Sequence, residues 1–184
     1  MAVKFDSINE AHKEFMEKQK MFVIGSAGAD GFINVSPKGM DTFKIIDKNT
    51  VVWLNHTGSG NETSAHVQEN GRMTIMFNSY DKAPLILKLY GQATVIHSAD
   101  PRWEEMTAHF ETFVGTRQFF EMKVELVLTS CGYGVPQYEY IGDRKNMLQK
   151  WGENKGPEGI KTYWEENNVV TLNGVETKVL EKSK

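Results

Sequence analysis

Short runs of β-branched and aromatic residues, broken by Gly, Asp, Asn and Pro, fill most of the first 130 residues, and only a few windows carry helical spacing. Ser7-Ile8-Asn9-Glu10 has the S-x-x-E form of a capping box, which predicts a helix starting at Ser7. Ile8, Ala11, Phe15, Met16 and Gln19 then share one stripe, with Lys13, Glu14, Glu17 and Lys18 opposite, as in a helix that covers an apolar surface. Apolar runs at 21–26 and 32–36 flank Ala29-Asp30-Gly31, a hairpin signature. Further strands are predicted at 50–55, 72–78, 85–97 (bent or bulged at Gly91) and about 119–129. Residues 61–68 read as a short helix ended by Gly71, and Asp100-Pro101-Arg102-Trp103-Glu104 as a capped helix start. Six strands on mostly hairpin-sized connections, without regular βαβ alternation, predict a mainly β fold: an antiparallel barrel or sandwich with peripheral helices.

The texture changes after Cys131. Cys131-Gly132-Tyr133-Gly134-Val135-Pro136 reads as loop; two short helices follow, at 143–155 with Met147, Leu148 and Trp151, and at 157–167 with Ile160, Tyr163 and Trp164. Too few apolar anchors stand in this stretch for an independent core. The expected organisation is a barrel domain over 1–130 and a helical extension over 131–184 that packs on the barrel or on a partner subunit.

The 184 residues are 40% hydrophobic, enough to close a core. Lys+Arg number 21 against 24 Asp+Glu, so no global positive field draws in a nucleic-acid backbone. A single cysteine, no apolar run of signal-peptide type and no membrane-length apolar segment together point to a soluble, cytoplasmic protein. Cys131, with no local base, is expected to be a small buried hydrophobe. His56, His66, His97 and His109 lack metal-ligand spacing, and Trp53, Trp103, Trp151 and Trp164 read as core or interface anchors.

The densest chemistry lies in Asn55-His56-Thr57-Gly58-Ser59-Gly60-Asn61-Glu62-Thr63-Ser64, between a predicted strand and a predicted helix. Amide N–H groups, hydroxyls and the positive end of a helix dipole can converge there on a phosphate; the same composition also suits a plain helix cap. A dinucleotide fingerprint is excluded, because Thr63 stands at the third glycine position and no βαβ unit surrounds it. In Ser36-Pro37-Lys38-Gly39-Met40-Asp41-Thr42-Phe43-Lys44, Pro37 and Gly39 are expected to turn the backbone, so that Lys38 and Lys44 can face the same anion or remain ordinary surface lysines.

Asn34-Val35-Ser36-Pro37-Lys38-Gly39, the strand at 50–55, the loop from Gly58 to His66 and Glu69-Asn70-Gly71-Arg72 together resemble the pyridoxamine 5′-phosphate oxidase-like family of FMN-binding split barrels, over roughly residues 5–129. The tail resembles that of a bacterial subgroup of the same family. The resemblance implies a six-stranded Greek-key split barrel that forms a homodimer with two FMN molecules in clefts between subunits. It implies a phosphate site of basic and hydroxyl groups, with Lys44 matching the family's phosphate-contacting lysine. Thr63 and Ser64 depart from the family pattern: they stand where the oxidase proper has an Arg-Lys pair, leaving Lys38, Lys44 and loop amides to compensate. The Arg and His pair that grips a pyridoxal substrate is also absent from the tail, where Arg144 is the nearest candidate. The cofactor-binding residues expected on this basis are Val35, Ser36, Lys38, Lys44, Leu54, Asn55, Thr57, Ser59, Asn61, Thr63 and Ser64, with Trp53 beside the ring and Tyr133 or Trp151 as covers. No catalytic acid or base is assigned. The expected function is an FMN-dependent oxidoreductase acting on a small substrate; the alternative is a split-barrel binding protein holding haem, a deazaflavin or another ligand.

Overall fold

Period-two alternation sets the sheet. In Met21–Ser26, Phe22, Ile24 and Ser26 are buried while Met21, Val23 and Gly25 stay half-exposed, as expected of a strand with one face on a core. The structure, a computed structural model, describes residues 2–144 and 146–183. Its elements are β1 (Val3–Phe5), α1 (Glu10–Lys18), β2 (Met21–Ser26), β3 (Asn34–Gly39), β4 (Phe43–Asp47), β5 (Thr50–His56), α2 (Glu62–Asn70), β6 (Arg72–Asn78), β7 (Ile86–His97), α3 (Trp103–Thr107), β8 (Thr116–Ser130) and α4 (Met147–Asn167). All strand pairs are antiparallel, in the order β3-β2-β6-β7-β8-β5-β4, with β1 also on β8. The two ends of this path, β3 and β4, are separated by only Met40, Asp41 and Thr42, so the sheet must curl back on itself. This is the mainly β split-barrel fold with peripheral helices.

Among the described residues, eight strands replace the expected six. β1 is the first addition, pairing with Val127–Thr129. The second is β4, taken from the stretch read as connection, which pairs with β5. Pro37 and Gly39 do not turn the chain: they stay in register with Val23 and Met21 in β3, an edge strand where a residue without an N–H is tolerated. The turn comes one residue later, at Met40 and Asp41, both at positive φ. The first helix starts after Asn9 rather than at Ser7, because Ile8 N–H is held by the Lys48 carbonyl at 2.8 Å. Asn9 and His12 then form the capping box, which places His12 rather than Ala11 on the buried stripe with Met16.

Two cores flank β5, whose run Thr50-Val51-Val52-Trp53-Leu54-Asn55 is buried throughout. On one side Trp53 joins Ile24, Ile75, Phe77, Leu89 and Phe120 under α1, with Trp53 and Phe120 stacked at 4.5 Å. On the other, Val52 and Leu54 pack with Ile96, Met106 and Phe119. The register shift expected at Gly91 is present between Tyr90 and Gly91, where a Cβ would run into the Lys123 carbonyl. α4 is broken at Gly156 (φ 65°) and resumes at Pro157, dividing it into the two expected short helices. Residues beyond it return to the barrel: the Gln68 amide donates to the Thr177 carbonyl at 2.8 Å, and Ala99 N–H to the Lys182 carbonyl at 3.1 Å. Cys131 is exposed rather than buried, since it falls just past the end of β8. No helix among the described residues is long and apolar enough to cross a membrane.

Candidate functional site

Strand periodicity aims Asn34, Ser36 and Lys38 from β3, and Trp53 and Asn55 from β5, at one cleft. The loop Gly58-Ser59-Gly60, Asn61 and the first residues of α2 close one end, and Val170, Thr171 and Leu172 the rim. The cavity measures about 610 Å³, within the range of small-molecule and cofactor sites.

A bulge supplies the cleft's deepest charge. Asn55 pairs with Gln118 and His56 with Thr116, so Arg117 is the extra residue on β8 and turns into the cleft wall. It is 2% exposed. Nη1 donates to the Gly60 carbonyl at 3.1 Å and to Asn168 Oδ1 at 2.7 Å, while Nε is buried without a partner. Lys38 Nζ sits 5.4 Å from the Trp53 ring centroid. Burial first, and the Arg117 charge second, bring its pKa down to about 8. His56, stacked on Phe113 at 4.1 Å, is brought down to about 4 by burial and then by Lys38 and Arg117, so it is neutral at pH 7. Among the described residues no carboxylate lies within 4 Å of Lys38 or Arg117; Glu62, on the rim, accepts from Leu172 N–H at 3.2 and 3.3 Å.

The N-terminus of α2 opens on the same space. Asn61 precedes it without a side-chain cap bond to the helix; its Oδ1 accepts from Gln118 Nε2 at 2.7 Å and its Nδ2 is buried and unpartnered. Uncompensated cations, orphaned donors and an uncapped helix start share one demand, which is an anion.

Of the residues expected from sequence, Val35, Ser36, Lys38, Asn55, Ser59, Asn61 and Thr63 line this cleft. Thr63 Oγ1 already accepts from Asn34 Nδ2 at 3.0 Å and Ser26 Oγ at 3.3 Å, leaving its own proton to donate. Four residues lie elsewhere. Leu54 points into the second core, as its neighbours in a strand require. Thr57 Oγ1 donates to the Gly115 carbonyl at 2.9 Å and accepts from Trp164 Nε1 at 2.8 Å. Ser64 is fully buried against Gln68. Lys44 is paired with Asp41 at 2.6 Å and lines a separate depression beside α1, so it does not share the cleft with Lys38 within one chain. Trp151 lies in an adjoining apolar pocket, and Tyr133 is 82% exposed. Sequence reasoning missed Arg117, Asn168 and the rim at 170–172; the one available signal was a lone arginine opening an otherwise uncharged run into β8.

Residues 8–131, about two thirds of the chain, match the family described as pyridoxamine 5′-phosphate oxidase. The pyridoxamine 5′-phosphate oxidase family protein ustO of Aspergillus flavus is 36% identical over 148 residues, 78% of this chain, and the chain spans 59% of its length. Among solved structures, a single-site variant of HupZ from Group A Streptococcus has a TM-score of 0.54 at 17% identity, covering 67% of this chain and 99% of that one. A Lactobacillus delbrueckii protein described as a candidate pyridoxamine 5′-phosphate oxidase also scores 0.54, at 15% identity over 67% of this chain and 94% of that one. These two likenesses speak for the fold, whereas the family follows from the sequence match across the barrel: the chain belongs to the pyridoxamine 5′-phosphate oxidase family.

Proposed function

We propose that the cleft binds FMN and that the protein is a flavin-dependent oxidoreductase acting on a small substrate. The observation that carries this reading is Arg117: a fully buried guanidinium with an unpartnered Nε, no carboxylate within reach, and an uncapped helix start beside it. A phosphate monoester satisfies all three, through charge-assisted hydrogen bonds to Arg117, the loop amides and the Ser59 hydroxyl. The missing Arg-Lys pair at Thr63 and Ser64 is then offset by a cation from β8. Val35, Ser36 and Asn55 stand beyond the loop along the same cleft, where a ring system would extend over the edge of Trp53.

Bound FMN would supply hydride transfer through its ring, while the protein contributes position and electrostatics. Lys38 brings a cation to the ring half of the cleft and stays protonated below about pH 8. His56 is neutral and contributes a hydrogen-bonding edge without charge. Phe32, Ile33 and Val35, at and just before the start of the edge strand β3, are 71%, 74% and 65% exposed, an apolar border that a second copy of the chain would cover, completing the site in a homodimer.

The test is a visible absorption spectrum of the purified protein after incubation with FMN and removal of free ligand. Retained flavin bands in about one equivalent per chain support the reading; a flat spectrum overturns it.

A further inference from the structure

Asn168 ends α4, well outside the family match, yet it is completely buried and every polar group it owns is used. Its N–H donates to the Trp164 carbonyl at 2.8 Å and its carbonyl accepts from Thr177 Oγ1 at 2.5 Å. Its side chain faces the cleft wall: Oδ1 accepts from Arg117 Nη1 at 2.7 Å, and Nδ2 donates to the Gly58 carbonyl at 3.0 Å. One planar amide therefore fixes both the guanidinium and the glycine loop. With Nη1 committed to Asn168 and Gly60, the edge formed by Nε and Nη2, neither of them hydrogen-bonded among the described residues, remains for a ligand. Holding the Gly58 carbonyl away from the anion also fixes the orientation of the adjoining peptide, so loop N–H groups rather than carbonyl oxygens can meet negative charge.

We propose that Asn168 is a positioning residue for the phosphate end of the cleft, which makes the C-terminal segment part of the binding machinery. The proposal rests on the FMN reading for the identity of the ligand, and on the Arg117–Asn168–Gly58 geometry for its mechanism. It differs from ordinary helix capping in one consequence. An amide that only ended α4 would affect all ligands of the cleft alike, whereas one that orients Arg117 acts on the phosphate and not on the ring.

FMN and riboflavin differ by that phosphate alone. Dissociation constants for both are measured by flavin fluorescence on the full chain and on three variants. Asn168→Ala is expected to weaken FMN by tenfold or more and to change riboflavin by less than twofold. Asn168→Asp keeps the side-chain shape, sets a carboxylate against Arg117 and is expected to weaken FMN at least as much; it carries the test should the alanine variant not fold. Thr177→Val loosens the same segment without touching the amide side chain and is expected to leave the FMN-to-riboflavin ratio unchanged. An unchanged ratio in both Asn168 variants, or an equal fall in Thr177→Val, overturns the proposal. If the unaltered protein binds neither flavin, the FMN reading fails and inorganic phosphate becomes the probe. A phosphate-dependent rise in Tm that Asn168→Asp loses and Thr177→Val keeps supports the proposal; no rise in the unaltered protein, or one that Asn168→Asp retains, overturns it.

Discussion

Lys38 and Arg117 share one cleft, where burial and then the Arg117 charge disfavour the Lys38 ammonium in the free protein. Function and stability therefore pull in opposite directions at Lys38. Its pKa falls from 10.5 unfolded to about 8 folded, so between those values the unfolded chain binds the extra proton and the stability of the free protein rises with pH. FMN affinity runs the other way: it is greatest while the ammonium is charged and declines as pH rises through about 8. Lys38→Met is expected to stabilise the ligand-free protein, on the order of 1 kcal/mol, while lowering FMN affinity and removing its decline near pH 8. Thermal melts and FMN titrations between pH 6.5 and 9 check both signs. His97 shows the acid side of the same logic. Both ring nitrogens are buried without a hydrogen-bond partner among the described residues, and burial, then Lys182 and Arg117, bring its pKa down to about 4. Its folded form stays neutral while the unfolded chain protonates near 6.5, so it takes stability away as pH falls from 6.5 towards 4. His97→Leu is expected to narrow the drop in Tm between pH 7.5 and 5; an unchanged drop would place the acid sensitivity elsewhere. Loop composition makes the polar stretch from Asn55 to Thr63 legible in the sequence, and all of it but Thr57 lines the cleft. Lys44 lies apart from Lys38 within one chain because β3 runs on through Pro37, and the turn at Met40 and Asp41 then delivers Lys44 to the opposite edge of the sheet path.

Strand irregularities do the aiming between elements. The bulge at Asn55/His56 turns Arg117 into the cleft, and the one at Tyr90/Gly91 lets β7 and β8 continue past a point of backbone contact. Gly91→Ala is expected to cost about 2 kcal/mol or more, because its methyl group would meet the Lys123 backbone rather than a movable side chain. Chemical denaturation reads this directly, and a loss below about 0.5 kcal/mol, the range of ordinary surface changes, would mean the strands part easily there. The Gly91 irregularity was legible because glycine inside an apolar run is a local signal. The Arg117 bulge was not: it arises from the register between β5 and β8, which are about sixty residues apart, and no local pattern records it. The same holds for β1 and β4, short strands whose pairing partners give them their identity.

Across the whole molecule, the barrel and the segment after Ser130 meet at the cleft wall through Arg117, Asn168 and Gly58, and beside it through Thr57 and Trp164. Helical spacing revealed both halves of α4 and the break between them, since Gly156-Pro157 is local chemistry. The docking of α4 and the returning tail on the glycine loop depends on single hydrogen bonds from Trp164 and Asn168, which periodicity cannot show. The apolar border at Phe32, Ile33 and Val35 is the remaining large-scale feature. Light scattering during size exclusion is expected to give twice the chain mass, and a monomer would leave the border and the proposed shared cleft unexplained.

On the proposed reading, Arg117 holds a phosphate-bearing flavin. Parallel fluorescence titrations of FMN and riboflavin into the unaltered protein and Arg117→Met test it most directly. The unaltered protein is expected to prefer FMN, and Arg117→Met to weaken FMN by about 1.5 to 3 kcal/mol, roughly ten- to a hundredfold, with riboflavin nearly unchanged. Equal affinity for the two flavins in the unaltered protein, or an FMN affinity indifferent to Arg117, would contradict it.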